Sequence, residues 1–472
     1  VNPLAALVLP AIRWHADRGF EPALASVEAA LALGVGGFIV FGGERGEVAR
    51  LTREVAAAAR HPLLIASDLE RGAGQQIVGL TSLPPPLALG TTDPGAVVVV
   101  ATITAREARD VGINWALAPV LDLDVERGNP IVQTRAFGAE PEAVAAAGRD
   151  WVRACQAGGV LACAKHFPGH GRTTSDSHAG LPEVRAPREI LAADLQPYRA
   201  AIGVGVAGVM TAHVAYPALD AAGVPATHSA VILGELLRRD LGFDGLVVTD
   251  ALIMAGAGPR EDEARGAVRA LSAGCDLLLY PHDAASVAAA LERAVAAGEL
   301  ARRHIDGSLR RRAAAAARAA GPAALTEAEL AAHRARAGEL ARHAVALLRG
   351  PPPMAPARGV ALEVVDDDAG AAYPVPPRDA FAQVLADAGV QLDAAGERVV
   401  LLFADVRAWK GRAGLSAETR RRLLAALTRP ATTVLFGHPR LADEVPGPGP
   451  LLCAWTGDAV MQRAAAERVL AS

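Results

Sequence analysis

Aromatic side chains make up only 4% of this 472-residue chain, and no surplus of positive charge stands beside them. Lys plus Arg number 47 against 51 Asp plus Glu, a net charge of -4. Grooves that track polyanions and platforms that stack bases need what is missing here, so nucleic acid is not an expected partner. Cysteine is equally scarce. Cys155, Cys163, Cys275 and Cys453 lack C-x-x-C spacing, which gives neither a zinc site nor a disulfide framework. They read as buried free thiols of a reducing compartment. No apolar run approaches the ~18 residues of a membrane span. The apolar start from Val1 to Pro10 has no basic flank of the signal-peptide type. A cytoplasmic protein without a membrane partner is the expectation.

What the chain has is core-forming material: 51% hydrophobic residues against 21% charged, which excludes disorder and collagen-like structure. Its length exceeds one ordinary domain of ~150 residues, although a single α/β barrel takes ~250. Eight short apolar runs alternate with helix-like segments. They are Leu4 to Leu9, Gly37 to Phe41, Leu63 to Ser67, Asn114 to Ala118, Leu161 to Lys165, Gly208 to Ala212, Leu246 to Thr249 and Asp276 to Tyr280. Glu142 to Ala157 and Ala230 to Leu241 place apolar residues at helical spacing between them and end near glycine. Eight repeats of strand then helix predict a (β/α)8 TIM-type barrel over residues 1–345. Ala96 to Thr104 is β-branched and would read as a strand in isolation. It is assigned to a helix because Glu107 to Asp110 continues it into a polar stretch ending at Gly112.

Ala301 to Ala344 reads as helix broken at Gly321-Pro322, and Gly350-Pro351-Pro352-Pro353 as a stiff linker. Beyond it, Val360 to Val365, Arg398 to Phe403, Thr433 to Phe436 and Leu451 to Ala454 look like strands, with a helix over Ala417 to Leu427. A second, smaller α/β domain over 350–472 is expected. None of its strand ends carries a phosphate-binding glycine motif, so a lid, an interface or a stability element is a better reading than a nucleotide site.

Polar residues at the C-terminal ends of barrel strands face the active site in nearly all such enzymes. Five of the expected ends are charged or carry imidazole: Asp68-Leu69-Glu70-Arg71-Gly72, Pro119 to Asp122 with Thr134 to Gly138, Lys165 to Gly171 with Asp176-Ser177-His178, Thr211-Ala212-His213, and Thr249-Asp250-Ala251. From position alone, Asp250 could equally cap the next helix, His178 could be a solvated loop histidine, and any of the others could be an ion-pair partner in the barrel mouth.

At these residues the sequence resembles glycoside hydrolase family 3, in its β-N-acetylglucosaminidase branch that acts in bacterial cell-wall (peptidoglycan) recycling. Gly112-Ile113-Asn114 through Val120, Arg135 to Gly138, Lys165 to Gly171 with Asp176-Ser177-His178, Met210 to Val214, and Gly242 to Gly245 with Asp250 carry the likeness. It spans most of residues 1–345, and the C-terminal part looks like a shortened α/β sandwich domain of longer members. The resemblance implies a retaining exo-β-N-acetylglucosaminidase. Asp250 would be the nucleophile, His178 the acid/base and Asp176 its partner, with Asp68, Arg135, Lys165 and His166 on the sugar ring. Histidine suits the proton role because it titrates near neutrality. His170 and His213 are expected to brace loops. Neither cofactor nor metal is implied. The substrate would be a small N-acetylglucosaminide, and no oligomeric state follows.

Three departures stand out. Arg71 replaces the first glycine of the family's Asp-x-Glu-Gly-Gly, and Gln76 stands where an arginine is usual. In addition, Asp250 is followed by Ala251 where a second acid is common. Rival readings are a phosphorylase or β-glucosidase of the same family, a zinc hydrolase using His166, His170, His178, His213 and Asp250, and a catalytically silent sugar-binding protein. The zinc reading suffers because Leu4 to Leu9 offers no ligand.

Overall fold

Short parallel strands curl into a ring whose polar ends all open on one side. The computed structural model describes residues 2–90, 95–353, 355–356, 359–368, 375–407 and 410–471; Val1, the first residue of the apolar start, lies outside them. The strands are β1 (Val8–Leu9), β2 (Ala11–Arg13), β3 (Gly37–Phe41), β4 (Leu64–Ser67), β5 (Trp115–Ala116), β6 (Leu161–Phe167), β7 (Gly208–Thr211), β8 (Leu246–Thr249) and β9 (Leu278–Leu279). β2 to β8 pair in sequence order as one parallel sheet. β1 pairs with β9 through Val8 to Leu278 and Leu9 to Leu279, and a bridge from Val248 to Leu277 ties that segment back to β8. A helix follows each turn of this TIM-like barrel, from Leu24–Leu33 after β2 to Ala284–Ala296 after β9.

Strands covered on both faces read as continuous apolar runs instead of alternating ones. All seven residues of β6 are buried, lysine and histidine included. The helix over Ala96–Asp110 buries Val97, Val100, Ala101, Thr104 and Ala108. That is a helical stripe, not the alternate pattern of a strand, and it overrides the β-branched propensity of the segment.

The first strand differs from the expectation of Leu4 to Leu9. Asn2 accepts from the Leu4 amide and Pro3 follows it, so Pro3–Leu7 winds into a 3₁₀ turn. The extended chain begins only at Val8 and passes through Pro10, whose carbonyl still accepts from the Ile39 amide. Its mouth end is therefore Arg13, and the first strand is not apolar throughout.

A second, five-stranded sheet has the order β10-β14-β13-β12-β11. Its strands are β10 (Ala346–Arg349), β11 (Val360–Asp366), β12 (Glu397–Ala404), β13 (Thr432–Gly437) and β14 (Leu451–Cys453). All pairs are parallel except β10 with β14. Leu401, Phe403, Val434 and Phe436 pack on one side with helices Ala380–Asp387 and Ala459–Leu470. Val400, Leu402 and Leu435 pack on the other with Ala417–Ala426, the two-residue alternation of a covered sheet. β10 was not expected. Residues 346–349 fall between the two anticipated domains because Leu347 and Leu348 form a short, part-exposed edge whose partner lies about a hundred residues on. The two sheets' units meet where His438 Nε2 and Arg440 reach Asp124 at 2.9 and 2.6 Å.

Candidate active site

The ends of β4, β6 and β8 bring the charged segments together. Lys165 Nζ lies 2.7 Å from both Asp68 Oδ1 and Glu70 Oε1. Arg135 grips Glu70 with two parallel bonds of 2.8 Å and fixes itself to the Ile131 carbonyl at 3.0 Å. Lys165, one of only two lysines in the sequence, is 2% exposed. Burial would push the Glu70 carboxyl up, but Arg135 and Lys165 more than offset this and hold it well below the usual carboxylate range. The network leaves Asp68 as its open member: its side chain is part-exposed, and Oδ2 has no partner among the described residues.

His166 is oriented by Asp122, which is fully buried. Asp122 Oδ2 meets Nδ1 at 2.7 Å, and Oδ1 accepts from the amides of His166 and His170 at 3.1 and 2.6 Å. With Nδ1 donating, Nε2 is the ring atom left for the cavity.

Asp250 follows β8 directly, and its Oδ1 accepts from the Ala251 amide at 2.7 Å. Burial raises its pKa, but the imidazoles of His166, His213 and His178 and the Ala251 amide prevail, so the carboxylate titrates below its ordinary value. On the loop after β6, His178 Nδ1 sits 2.7 Å from Asp176 Oδ1, which also accepts from the His178 amide at 2.9 Å. Asp176 is buried, while the His178 side chain is 46% exposed. Burial lowers the His178 pKa, but Asp176 outweighs it and the net shift is upward.

His170 and His213 spend both ring nitrogens on the scaffold. His170 bonds Thr173 and Ser177 at 2.9 and 3.0 Å; burial depresses its pKa to about 4. His213 bonds Thr227 at 2.8 Å and reaches the Ala251 carbonyl at 3.2 Å. Among the described residues, no three His, Cys, Asp or Glu groups converge as a metal site.

A cavity of about 740 Å³ joins these groups: Asp68, Arg135, Lys165, His166, His178 and Asp250 all line it. A contiguous lobe of about 290 Å³ extends past Asp68 and Arg135 to Asp405 and Arg407 of the second unit. Several residues at or behind the cavity wall were not singled out in the sequence. Glu70, on the wall, and the fully buried Asp122 stand in segments that were, with acids beside basic strand ends as the available signal. Arg13, whose guanidinium lies over the rings of Phe41 and Tyr280 at 4.3 and 5.1 Å, was hidden by the misplaced first strand. Nothing local pointed to Asp405, Arg407 or Asp458, which come from β12 and β14 ends across the seam.

Residues 13–314 match the glycosyl hydrolase family 3 N terminal domain. The chain belongs to glycosyl hydrolase family 3. By that membership it is a glycoside hydrolase. A beta-N-acetylglucosaminidase/beta-glucosidase of Cellulomonas fimi is 39% identical over 261 residues, 52% of this chain and 46% of that protein. The chain thus spans less than half of that relative's length. A beta-hexosaminidase of Thiobacillus denitrificans is 40% identical over 288 residues, 57% of this chain and 79% of its own length. Among solved structures, a family 3 beta-N-acetylglucosaminidase from Paenibacillus sp. superposes with a TM-score of 0.86 at 28% identity, covering 100% of this chain and 96% of that one. No helix among the described residues is long and apolar enough to cross a membrane.

Proposed function

We propose that this family 3 hydrolase removes terminal N-acetylglucosamine from β-linked glycosides with retention of configuration. The observation that carries the reading is that His178, held from behind by Asp176, lines the same cavity as Asp250, Asp68, Lys165 and Arg135.

A retaining enzyme needs a carboxylate at the anomeric carbon and a group that gives and then takes one proton. Asp250 serves as the first because it is ionised at neutral pH and its Oδ2 has no partner among the described residues. It attacks the anomeric carbon as the glycosidic C–O bond breaks. The proton for the departing oxygen comes from His178 Nε2, since Nδ1 is committed to Asp176. Water then attacks the glycosyl ester and gives a proton to Nε2, and Asp250 departs as carboxylate. Asp176 fixes the ring orientation and steadies the imidazolium in both steps.

The ring is held by Asp68, Arg135, Lys165 and His166. A carboxylate accepts hydroxyl hydrogens strongly, and cationic donors polarise the hydroxyl oxygens. These contacts are made without reorganisation, because Glu70 and Asp122 already fix the cations and the imidazole. We assign the barrel to residues 1–345, and the second unit to Ala346 onward because β10 belongs to its sheet.

A panel of nitrophenyl glycosides, assayed with and without phosphate, tests sugar, anomeric linkage and acceptor together. Release from the β-N-acetylglucosaminide, with the β-anomer of the free sugar appearing first and no sugar 1-phosphate in phosphate buffer, is the expected result. Turnover confined to β-glucosides, or sugar 1-phosphate as product, would replace the substrate or the acceptor in this reading.

A further inference from the structure

The side chain of Arg71, on the loop after β4, is placed by a residue 387 positions away. Its NH1 meets Asp458 Oδ2 at 2.7 Å, with both side chains largely buried. Its backbone is pinned as well: the amide donates to Gln75 Oε1 at 2.8 Å and the carbonyl accepts from Leu83 at 3.1 Å. Asp458 stands immediately before the helix Ala459–Leu470, where an aspartate ordinarily caps the first turn. Here it makes no capping bond and turns to Arg71 instead. A guanidinium carries five N–H donors, and among the described side-chain bonds Arg71 uses one. The group lines both lobes of the cavity, beside Asp68 and Arg135.

We infer that Arg71, held across the seam by Asp458, is a further sugar-binding guanidinium of the active site, so the second unit contributes to substrate affinity through Asp458. The inference rests on the glycosidase reading above and adds to it a binding residue and a positioning residue. Arg71 donates to ring hydroxyls from the wall shared with Asp68, on the stretch of loop where Gln76 offers only an amide. Asp458, at the edge of the same cavity, acts by holding the guanidinium plane. The alternative is a plain ion pair that joins the two units and does nothing for the sugar.

Calorimetric binding of N-acetylglucosamine, together with KM and kcat on the nitrophenyl β-N-acetylglucosaminide, separates the two. The set comprises the wild-type chain, Arg71→Ala, Asp458→Asn, the double variant and Arg127→Ala. Arg127→Ala breaks another contact across the seam, the exposed 2.6 Å pair with Asp443, and serves as control. Losing a charge-assisted donor should weaken binding and raise KM about ten- to hundredfold in Arg71→Ala. Asp458→Asn should lose a few-fold, the double variant no more than Arg71→Ala alone, and Arg127→Ala nothing. The pH profile of kcat should not move in any of them. Sugar affinity within twofold of wild type in folded Arg71→Ala overturns the inference, as does equal loss in Asp458→Asn and Arg127→Ala. If Arg71→Ala does not fold, unchanged affinity in Asp458→Asn overturns it alone. A wild-type chain that neither binds nor cleaves the N-acetylglucosaminide defeats the glycosidase reading, visibly and before any variant is compared, and the inference falls with it.

Discussion

Asp176 Oδ1 holds His178 twice, at the backbone amide from 2.9 Å and at ring Nδ1 from 2.7 Å. The two contacts close a small ring through Ser177 and lock the imidazole to the loop that carries it. Ser177 in turn is fastened by its hydroxyl to His170 at 3.0 Å and by its carbonyl to the Gly256 amide at 2.9 Å. The loop that carries His178 is thus tied to the segment that follows Asp250.

The upward shift of the His178 pKa comes from Asp176 against the opposing effect of burial. In the proposed mechanism the first chemical step needs His178 protonated, so kcat/KM should fall as pH rises through that pKa. Asp176→Asn removes the charge that favours imidazolium, and the alkaline limb should move to lower pH with little change in melting temperature. An alkaline limb that stays in place would detach Asp176 from the proton transfer.

On the proposed mechanism, Asp250→Ala leaves the sugar contacts of Asp68, Arg135 and Lys165 in place and removes only the bond-forming atom. Turnover should drop by roughly 10⁴-fold while N-acetylglucosamine still binds. Azide should restore part of the rate by forming a glycosyl azide, a product readable by mass spectrometry; wild-type turnover in this variant would move the nucleophile elsewhere.

His178→Ala should discriminate between leaving groups. A disaccharide needs its departing oxygen protonated and should slow by ~10²–10⁴-fold. An activated dinitrophenyl glycoside needs little help and should slow far less in bond cleavage. Equal slowing of both substrates, measured as kcat/KM, would count against proton donation.

Gly256 has no room for a side chain. A methyl there would lie 2.9 Å from the Ser177 carbonyl and 3.0 Å from His213 Cβ. Gly256→Ala should push the loop that carries His178 away from Asp250 and, on the proposed mechanism, lower kcat by roughly 10- to 10²-fold, since small misplacements are costly in catalysis. The loss should exceed that of Gly180→Ala on the same loop, where nothing stands in the way. Comparable kcat values for the two variants would show that the loop tolerates displacement.

Burial depresses His170 and His228 to about 4. Between about pH 6.5 and 4 the unfolded chain binds protons at these positions that the folded chain refuses, so stability must fall as pH drops through that window. About 1–3 kcal/mol is at stake at each site. The melting temperature should decline from pH 7 to 4.5, and His228→Asn should flatten the decline. A variant with the wild-type slope would assign the acid sensitivity to other groups.

How far the fold could be read locally is clear from particular segments. Gly37–Phe41 and Leu246–Thr249 are strands with the anticipated bounds because a strand buried on both faces is written as an uninterrupted apolar run. The segment at Ala96 was legible as helix once its polar continuation was weighed. The first strand was not, because Pro10 reads as a stop whereas the chain passes through it with its carbonyl still in the ladder. β10 escaped because a four-residue edge strand owes its pairing to Leu451–Cys453, far away in sequence.

The sequence by itself determined the contiguous chemistry: Lys165-His166 on one strand end, Asp176-x-His178 on one loop and Asp250 at another strand end. Their character follows from residue type, and their placement from the rule that barrel strand ends share a mouth. Only the tertiary structure decided that Glu70 pairs with both Arg135 and Lys165, that Asp122 turns His166, and that Asp458 reaches Arg71. Those are charge pairings between distant segments. They depend on the register of a curled sheet and on how a second sheet docks against it, and neither quantity is encoded in the spacing of any one stretch of chain.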